Sequence, residues 1–340
     1  MIKKHFNIPV FIPEAACPFQ CIYCNQRKLS GQLHIPSDKE IIESIEKTLA
    51  TIPKENSIVE LAYFGGNFTG FSLEQQKHYL ELVQTYIKRG LISGIRLSTR
   101  PDYISNEILD LLKSLNVKSI ELGTQSLDDE VLKASRRGHS AADTEKASEM
   151  IKSAGFNLGL QMMIGLPADT LEKSLLTAQK IIALGAKETR IYPTLVIKDT
   201  MLEKQFEAGL FKPLSLQEAV RWSAQLIKVF EKARVKIIKL GLHPSEGLLS
   251  GFDLVAGPWH PSFRELVLTE LWREALFPLL KEKQTAITIE VPTDQINYAI
   301  GYEGKNKKML LGKFYQVNYK TNTALKGRRY RIADHSSSAR

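Results

Sequence analysis

The chain is predicted to be an α/β protein built around a parallel sheet, with a smaller α+β module behind it. Three observations carry this. Short apolar runs rich in β-branched residues recur at 8–12, 58–64, 95–98, 119–122, 158–164 and 189–192. Longer amphipathic stretches separate them, at 38–49, 73–88, 104–115, 141–154 and 171–184. Beyond residue 240 the pattern gives way to turn formers and then to a short strand, helix, helix, strand order. Strand and helix in strict alternation generate right-handed βαβ crossovers and hence parallel pairing. Six such units suit an open or partial barrel, in which functional residues gather where loops leave the carboxyl ends of the strands.

The first strand, 8–12, runs into the only three cysteines of 340 residues, Cys17-Pro-Phe-Gln-Cys21-Ile-Tyr-Cys24. Thiolates crowd together when a metal neutralises them. Zinc competes at this point, because structural sites take Cys₃His and His5 or His34 could add a nitrogen, but zinc ligands usually come as two separated pairs. An iron–sulfur cube normally takes four cysteines, so three would leave one iron open for chemistry. An odd number of thiols with no signal peptide points away from disulfides and toward a reducing compartment.

The C-x₃-C-x₂-C spacing, with Tyr23 just before the last cysteine, resembles the radical S-adenosylmethionine (SAM) superfamily. That resemblance implies a partial (βα)6 radical SAM barrel over about residues 1–240 and a [4Fe–4S] cluster held by Cys17, Cys21 and Cys24. It also implies SAM on the open iron, one-electron cleavage to a 5′-deoxyadenosyl radical, and a protein that positions and shields that chemistry. Tyr23 is counted among the cofactor contacts.

Later strand ends extend the resemblance. The second is followed by Gly65-Gly66-Asn67, similar to the family's glycine-glycine-acid motif for the SAM amino group, with an amide where the acid would stand; an amide still accepts a hydrogen bond. The third ends at Ser98. The fourth runs into Gly123-Thr124-Gln125, with Arg136-Arg137 downstream, and here the chain resembles the branch holding oxygen-independent coproporphyrinogen oxidase and the elongator catalytic-subunit core. In that branch Ser98 and Gln125 would reach the ribose, and Arg137 would pair with the SAM carboxylate, which suits a guanidinium fork; Arg136 would be a solvated or RNA-facing charge. In the fifth strand Met163 and Ile164 would line the adenine side. The sixth ends at Tyr192-Pro193-Thr194, a candidate pocket wall.

All the cysteines being used in one cluster, none remains for an auxiliary cluster or a methyl carrier. Residues 241–284 are expected to be connecting loops and a helix over 262–280. His243, Trp259 and His260 are candidate substrate contacts there.

The tail, 285–340, reads as strand (286–291), helix (293–300), Gly301-Tyr302-Glu303-Gly304, helix (305–314) and strand (316–320). This order resembles a KH domain, whose glycine loop clamps a nucleic-acid backbone. The resemblance makes Gly301, Tyr302, Glu303, Gly304, Lys305, Lys307 and Lys308 RNA contacts. Ten Lys or Arg against four Asp or Glu give the tail +6 of the whole-chain +9, with Arg328, Arg329 and Arg331 adding to the cationic footprint.

The chain has no apolar run of membrane-spanning length and no targeting peptide at its start, so a cytoplasmic protein is expected. The function implied is a radical SAM enzyme acting on transfer or ribosomal RNA, served by an electron donor such as flavodoxin or ferredoxin. The alternatives are a radical SAM enzyme acting on a tetrapyrrole, on haem or on a modified purine base, and a non-catalytic RNA-binding iron–sulfur protein.

Overall fold

The structure, a computed structural model, describes residues 4–12, 17, 21–31, 34–53, 55–242, 244–282 and 285–333. Its contacts divide the chain into two units, residues 1–219 with 226–261 and residues 220–225 with 262–340.

In the first unit the six expected strands are present: β1 (Lys4–Ile12), β2 (Ser57–Gly65), β3 (Gly94–Thr99), β4 (Val117–Gln125), β5 (Asn157–Ile164) and β6 (Glu188–Pro193). The two-residue β7 (Val196–Ile197) lies outside the sheet, β8 (Lys236–Leu240) joins it as a seventh strand, and β9 (Leu254–Ala256) pairs antiparallel with β7. The sheet runs β1-β2-β3-β4-β5-β6-β8 with every pair parallel. In the sequence β8 is obscured by Lys236 and Lys239, which break up its apolar residues.

Capping explains why the intervening helices begin where they do. Ser37 with Glu40, Ser72 with Gln75, Ser140 with Asp143 and Ser215 with Glu218 each form a reciprocal box that satisfies amides otherwise left open in the first turn.

Strand alternation divides the sheet into two faces. Leu61, Leu97, Leu122, Met162 and Ile191 are fully buried on one of them. On the other, Arg96 of β3 reaches Glu188 of β6 at 2.6 Å, and the Arg190 guanidinium of β6 lies 4.6 Å over the Phe64 ring of β2. These strands are not neighbours in the sheet, so the sheet is curled into a half-barrel with that face inside.

The second unit holds β10 (Ala286–Val291), parallel to β11 (Gln316–Thr321) and antiparallel to β12 (Arg331–Ile332). Helices Ile296–Ile300 and Lys305–Leu311 form the crossover between β10 and β11. The helix Phe263–Leu276, expected as part of a connector, instead belongs here. Its Trp272 and Leu276 are fully buried in one cluster with Ile287, Ile289 and Phe314, because a three-stranded sheet needs a covering layer to bury its apolar face.

Candidate functional site

Two adjoining cavities open on the inner side of the half-barrel. The first, about 340 Å³, is lined by all three cysteines together with Tyr23, Gly65, Gly66, Ser98, Gln125 and Arg137. All but Arg137 come from the segment after β1 and from the carboxyl ends of β2, β3 and β4; Arg137 follows the short helix Asp129–Ala134. Gln26, Thr99, Gly123 and Gln161 complete the lining and were not singled out from sequence; the glycine of the Gly-x-Gln step was the available signal for Gly123. Among the described residues no group of three His, Cys, Asp or Glu could hold a metal ion. The thiols instead border a space far larger than one ion.

Arg137 is the electrostatic centre of this cavity. Its guanidinium is buried, Nη1 donates to Cys21 Sγ at 3.4 Å and Nη2 donates to the Gly123 carbonyl at 2.7 Å. Among the described residues Nε has no hydrogen-bond partner. Burial opposes its charge, but Tyr23 and Cys21 outweigh burial and leave its pKa raised. A Cβ on Gly123 would stand 2.9 Å from Arg137 Nη2, so the missing side chain is what admits the guanidinium. Arg136, by contrast, is exposed. Tyr23 is buried against Cys21, and burial followed by that thiol drives its hydroxyl pKa upward. A fixed buried cation, thiols and a space of cluster size form a donor set suited to an anionic thiolate-bound cluster rather than to a neutral ligand.

The two glycines after β2 differ in purpose. Gly65 has φ +109°, and a Cβ there would lie 2.2 Å from the Ile12 carbonyl, so glycine is required by the close approach of β1. Gly66 donates its amide to the same carbonyl at 3.0 Å while lining the cavity.

Three expectations need correction. Asn67 lines neither large cavity but a small pocket beside them with Gly65, Gly66 and Ser98, and its Oδ1 accepts from Thr99 Oγ1 at 2.6 Å and from the Arg100 amide at 3.2 Å, pinning the loop after β2 to the end of β3. Ile164 does not share the cavity with Met163, because adjacent strand residues point to opposite faces; Met163 lines the second cavity and Ile164 is fully buried away from it. Trp259 and His260 line neither cavity, and Trp259 packs on a small cluster of Leu195, Ile197 and Leu248. His243 lies outside the described residues. The alternative zinc ligands are engaged elsewhere, His5 with Glu60 at 3.0 Å and His34 with Glu40 at 3.1 Å.

The second cavity, about 440 Å³, shares Tyr23, Cys24, Gly65, Ser98, Gln125 and Gln161 with the first and descends between β1 and β6 to Asn7, Phe11, Arg190 and Tyr192. Lys239 of β8 lines it too. Apart from Tyr192, none of these deeper residues was singled out from sequence.

Two family models match this chain. The model of the Radical SAM superfamily matches residues 12–181, and that of the Radical_SAM C-terminal domain matches residues 186–273. The chain belongs to the radical SAM superfamily. It is a radical SAM enzyme, and the cofactors of this superfamily are a [4Fe–4S] cluster and SAM. The chain is 30% identical over 199 residues to a tRNA uridine(34) acetyltransferase of Methanocaldococcus infernus, covering 53% of this chain and 36% of that protein. The heme chaperone HemW of Bacillus subtilis is 27% identical over 63% of this chain and 57% of its own length. The structure of the Methanocaldococcus infernus Elp3 with an N-terminal deletion superposes with a TM-score of 0.62 at 23% identity, covering 81% of this chain and 64% of that one. The radical SAM chain described here thus spans little more than a third of the archaeal acetyltransferases it matches.

In the second unit the glycine loop is bound to its own scaffold. Gly301 has φ +87°, and a Cβ there would meet the Asn306 amide at 2.9 Å and Thr269 Cγ2 at 3.0 Å. The Tyr302 amide donates to Thr269 Oγ1 at 2.8 Å, and the buried Asn306 side chain donates to the Thr269 carbonyl at 3.0 Å. Gly304, at φ +72°, has open space around it apart from Lys308 Cε at 4.0 Å. Glu303, Lys305, Lys307 and Lys308 are exposed. Among the described residues no helix is long and apolar enough to cross a membrane.

Proposed function

We propose that this radical SAM enzyme modifies RNA, with transfer RNA the favoured substrate, and that it works in the cytoplasm. Cys17, Cys21 and Cys24 would hold the cluster, and Gly66, Ser98, Gln125, Arg137, Tyr23 and Met163 would surround SAM. When bound, the pair supplies one-electron cleavage of SAM to a carbon radical that removes hydrogen from a substrate, fed by a donor of the flavodoxin or ferredoxin kind. The protein's contributions are positional and electrostatic. Arg137 offers a cation beside the thiols and keeps a donor for a carboxylate, Gly65 lets the β1 and β2 ends close, and the walls of the half-barrel exclude water.

The observation that carries the enzymatic reading is the convergence of three thiols, a buried guanidinium and the ends of β2 to β4 on one cavity. RNA is favoured by two further facts. The second unit has a strand, helix, G-x-x-G, helix, strand order, which we read as resembling a KH domain, with three exposed lysines after the loop. Relatives include proteins named tRNA uridine(34) acetyltransferase and the Elongator complex protein 3 of Saccharomyces cerevisiae. The test is anaerobic reconstitution with iron, sulfide, SAM and dithionite, with and without tRNA. Release of 5′-deoxyadenosine that rises with tRNA is expected, together with a modified nucleoside found by mass spectrometry only in tRNA from cells holding the protein. Release that ignores RNA would return the small-molecule reading, and no release at all would leave a binding protein.

A further inference from the structure

The second cavity reaches well below the strand ends where SAM would sit. Arg190 stands three residues before the end of β6, roughly 10 Å down the strand at about 3.3 Å per residue. Above that level, one residue before the ends of β1, β2 and β6, the walls are aromatic: Phe11 and Phe64 are partners in register, with ring centroids 6.1 Å apart, and Tyr192 also lines the space.

The floor is a buried ion network. Arg190 donates through Nε and Nη2 to the two oxygens of Glu121, with Nη2 at 3.1 Å. Glu121 also pairs with Arg96 at 3.3 Å, and Arg96 pairs with Glu60 at 3.2 Å and Glu188 at 2.6 Å. Two arginines are shared among three carboxylates, and with Lys239 on the same cavity three cations face three carboxylates, so no excess positive charge demands an anion. What the network does is hold the Arg190 fork rigid, with one face on Phe64 and Nη1 reaching the Tyr192 hydroxyl at 3.4 Å. Burial raises the Tyr192 pKa, so the hydroxyl keeps its proton and remains a donor. Two fixed donors beside an aromatic wall, with the Gln161 amide on the same cavity, match the edge and face of a flat, uncharged ring that carries a carbonyl.

We propose that this chamber receives a keto-bearing nucleobase swung out of its strand, set against Phe64 and Phe11, with Arg190 Nη1 and the Tyr192 hydroxyl donating to the ring carbonyl. The assignment rests on the RNA reading above and narrows it to bases of the uracil or guanine kind. Arg190 is the reader, and Glu121 and Arg96 are positioning residues that act through it.

The test is saturation-transfer NMR on the cluster-loaded full chain with saturating S-adenosylhomocysteine, using uridine, guanosine, purine riboside and glutarate as probes. Uridine or guanosine should receive saturation at its ring protons, and purine riboside, which lacks the carbonyl, several-fold less. Tyr192→Phe should weaken the keto nucleoside about fivefold, the value of one neutral hydrogen bond, and leave S-adenosylhomocysteine affinity unchanged. Arg190→Lys should weaken it more, and if that variant does not fold, Tyr192→Phe tests the same donor pair. Equal binding of all nucleosides, preference for glutarate, or no probe binding beside S-adenosylhomocysteine each overturns the assignment. Filter binding of tRNA to the same protein separates the two readings. Retained tRNA without nucleoside saturation removes the chamber alone, whereas nucleoside saturation without retained tRNA removes the docking alone.

Discussion

Arg137 sits where three demands meet: a thiol, a carbonyl and space for a cofactor carboxylate. Arg137→Gln should therefore lower SAM affinity about 10- to 100-fold, the worth of one charge-assisted hydrogen bond, measured by equilibrium dialysis on cluster-loaded protein; undiminished affinity would remove Arg137 from the cofactor contacts. Two residues downstream, His139 is buried, and burial followed by Arg137 and Arg100 lowers its pKa to about 3. Below the unfolded value near 6.5 the unfolded chain takes up a proton that the folded chain refuses, so stability falls as pH drops from about 6.5 toward 3. Asp169 works in the opposite sense. Burial raises its pKa to about 6, so its favourable contribution is full below the unfolded value near 3.9 and is lost as pH rises through 6. Between about pH 4 and 6 the two slopes oppose each other. His139→Gln should flatten the acid-side loss of stability by up to about 1.4 kcal/mol per pH unit, and Asp169→Asn should steepen it, both read from urea midpoints across that range. Identical pH profiles in wild type and both variants would contradict this account.

Within single elements, the backbone separates glycines that look alike in sequence. Gly301 combines φ +87° with ψ 154° and contacts Asn306 and Thr269; Gly304 is left-handed in open space. Gly301→Ala should cost about 3 kcal/mol or more and Gly304→Ala about 1 kcal/mol, read by hydrogen exchange at the amides of β10 and β11 in the full chain. A variant at Gly301 thus reports on folding of the second unit, and Gly304 with the lysines is the cleaner probe of RNA contact. Equal protection in both variants would sink the distinction. The same scale explains what sequence could reveal. Six strands were legible from β-branched runs, and the cysteine spacing and the Gly-x-Gln step pointed to residues that do share a cavity. Ile164 was misplaced because an apolar run hides which of its members face inward. The tie from Asn67 to Thr99 and Arg100 is hidden in the sequence because those partners lie thirty-odd residues away. Arg190 and Glu121 were invisible for the same reason at longer range: their meaning depends on β6 curling over β2, which no local pattern encodes.

For the molecule as a whole, the question is whether the charge excess of the tail acts on RNA or only solvates a surface. The two readings differ in salt dependence. A lysine that neutralises a phosphate releases a counterion, and each such contact contributes about 0.7 to 0.9 to the slope of log affinity against log salt. Lys305, Lys307 and Lys308 are exposed on the helix that follows the glycine loop, and the loop itself is held by Thr269 and Asn306 rather than by these side chains, so their removal leaves the scaffold intact. The triple variant Lys305→Ala, Lys307→Ala, Lys308→Ala should reduce the tRNA salt slope by about 2 to 3 while cluster content and SAM affinity remain at wild-type values. If the slope is unchanged, the basic tail is a solvated surface and the RNA reading loses its docking element. If slope and SAM affinity fall together, the lysines serve the cofactor chamber and the proposed division of labour between RNA docking and cofactor binding is wrong.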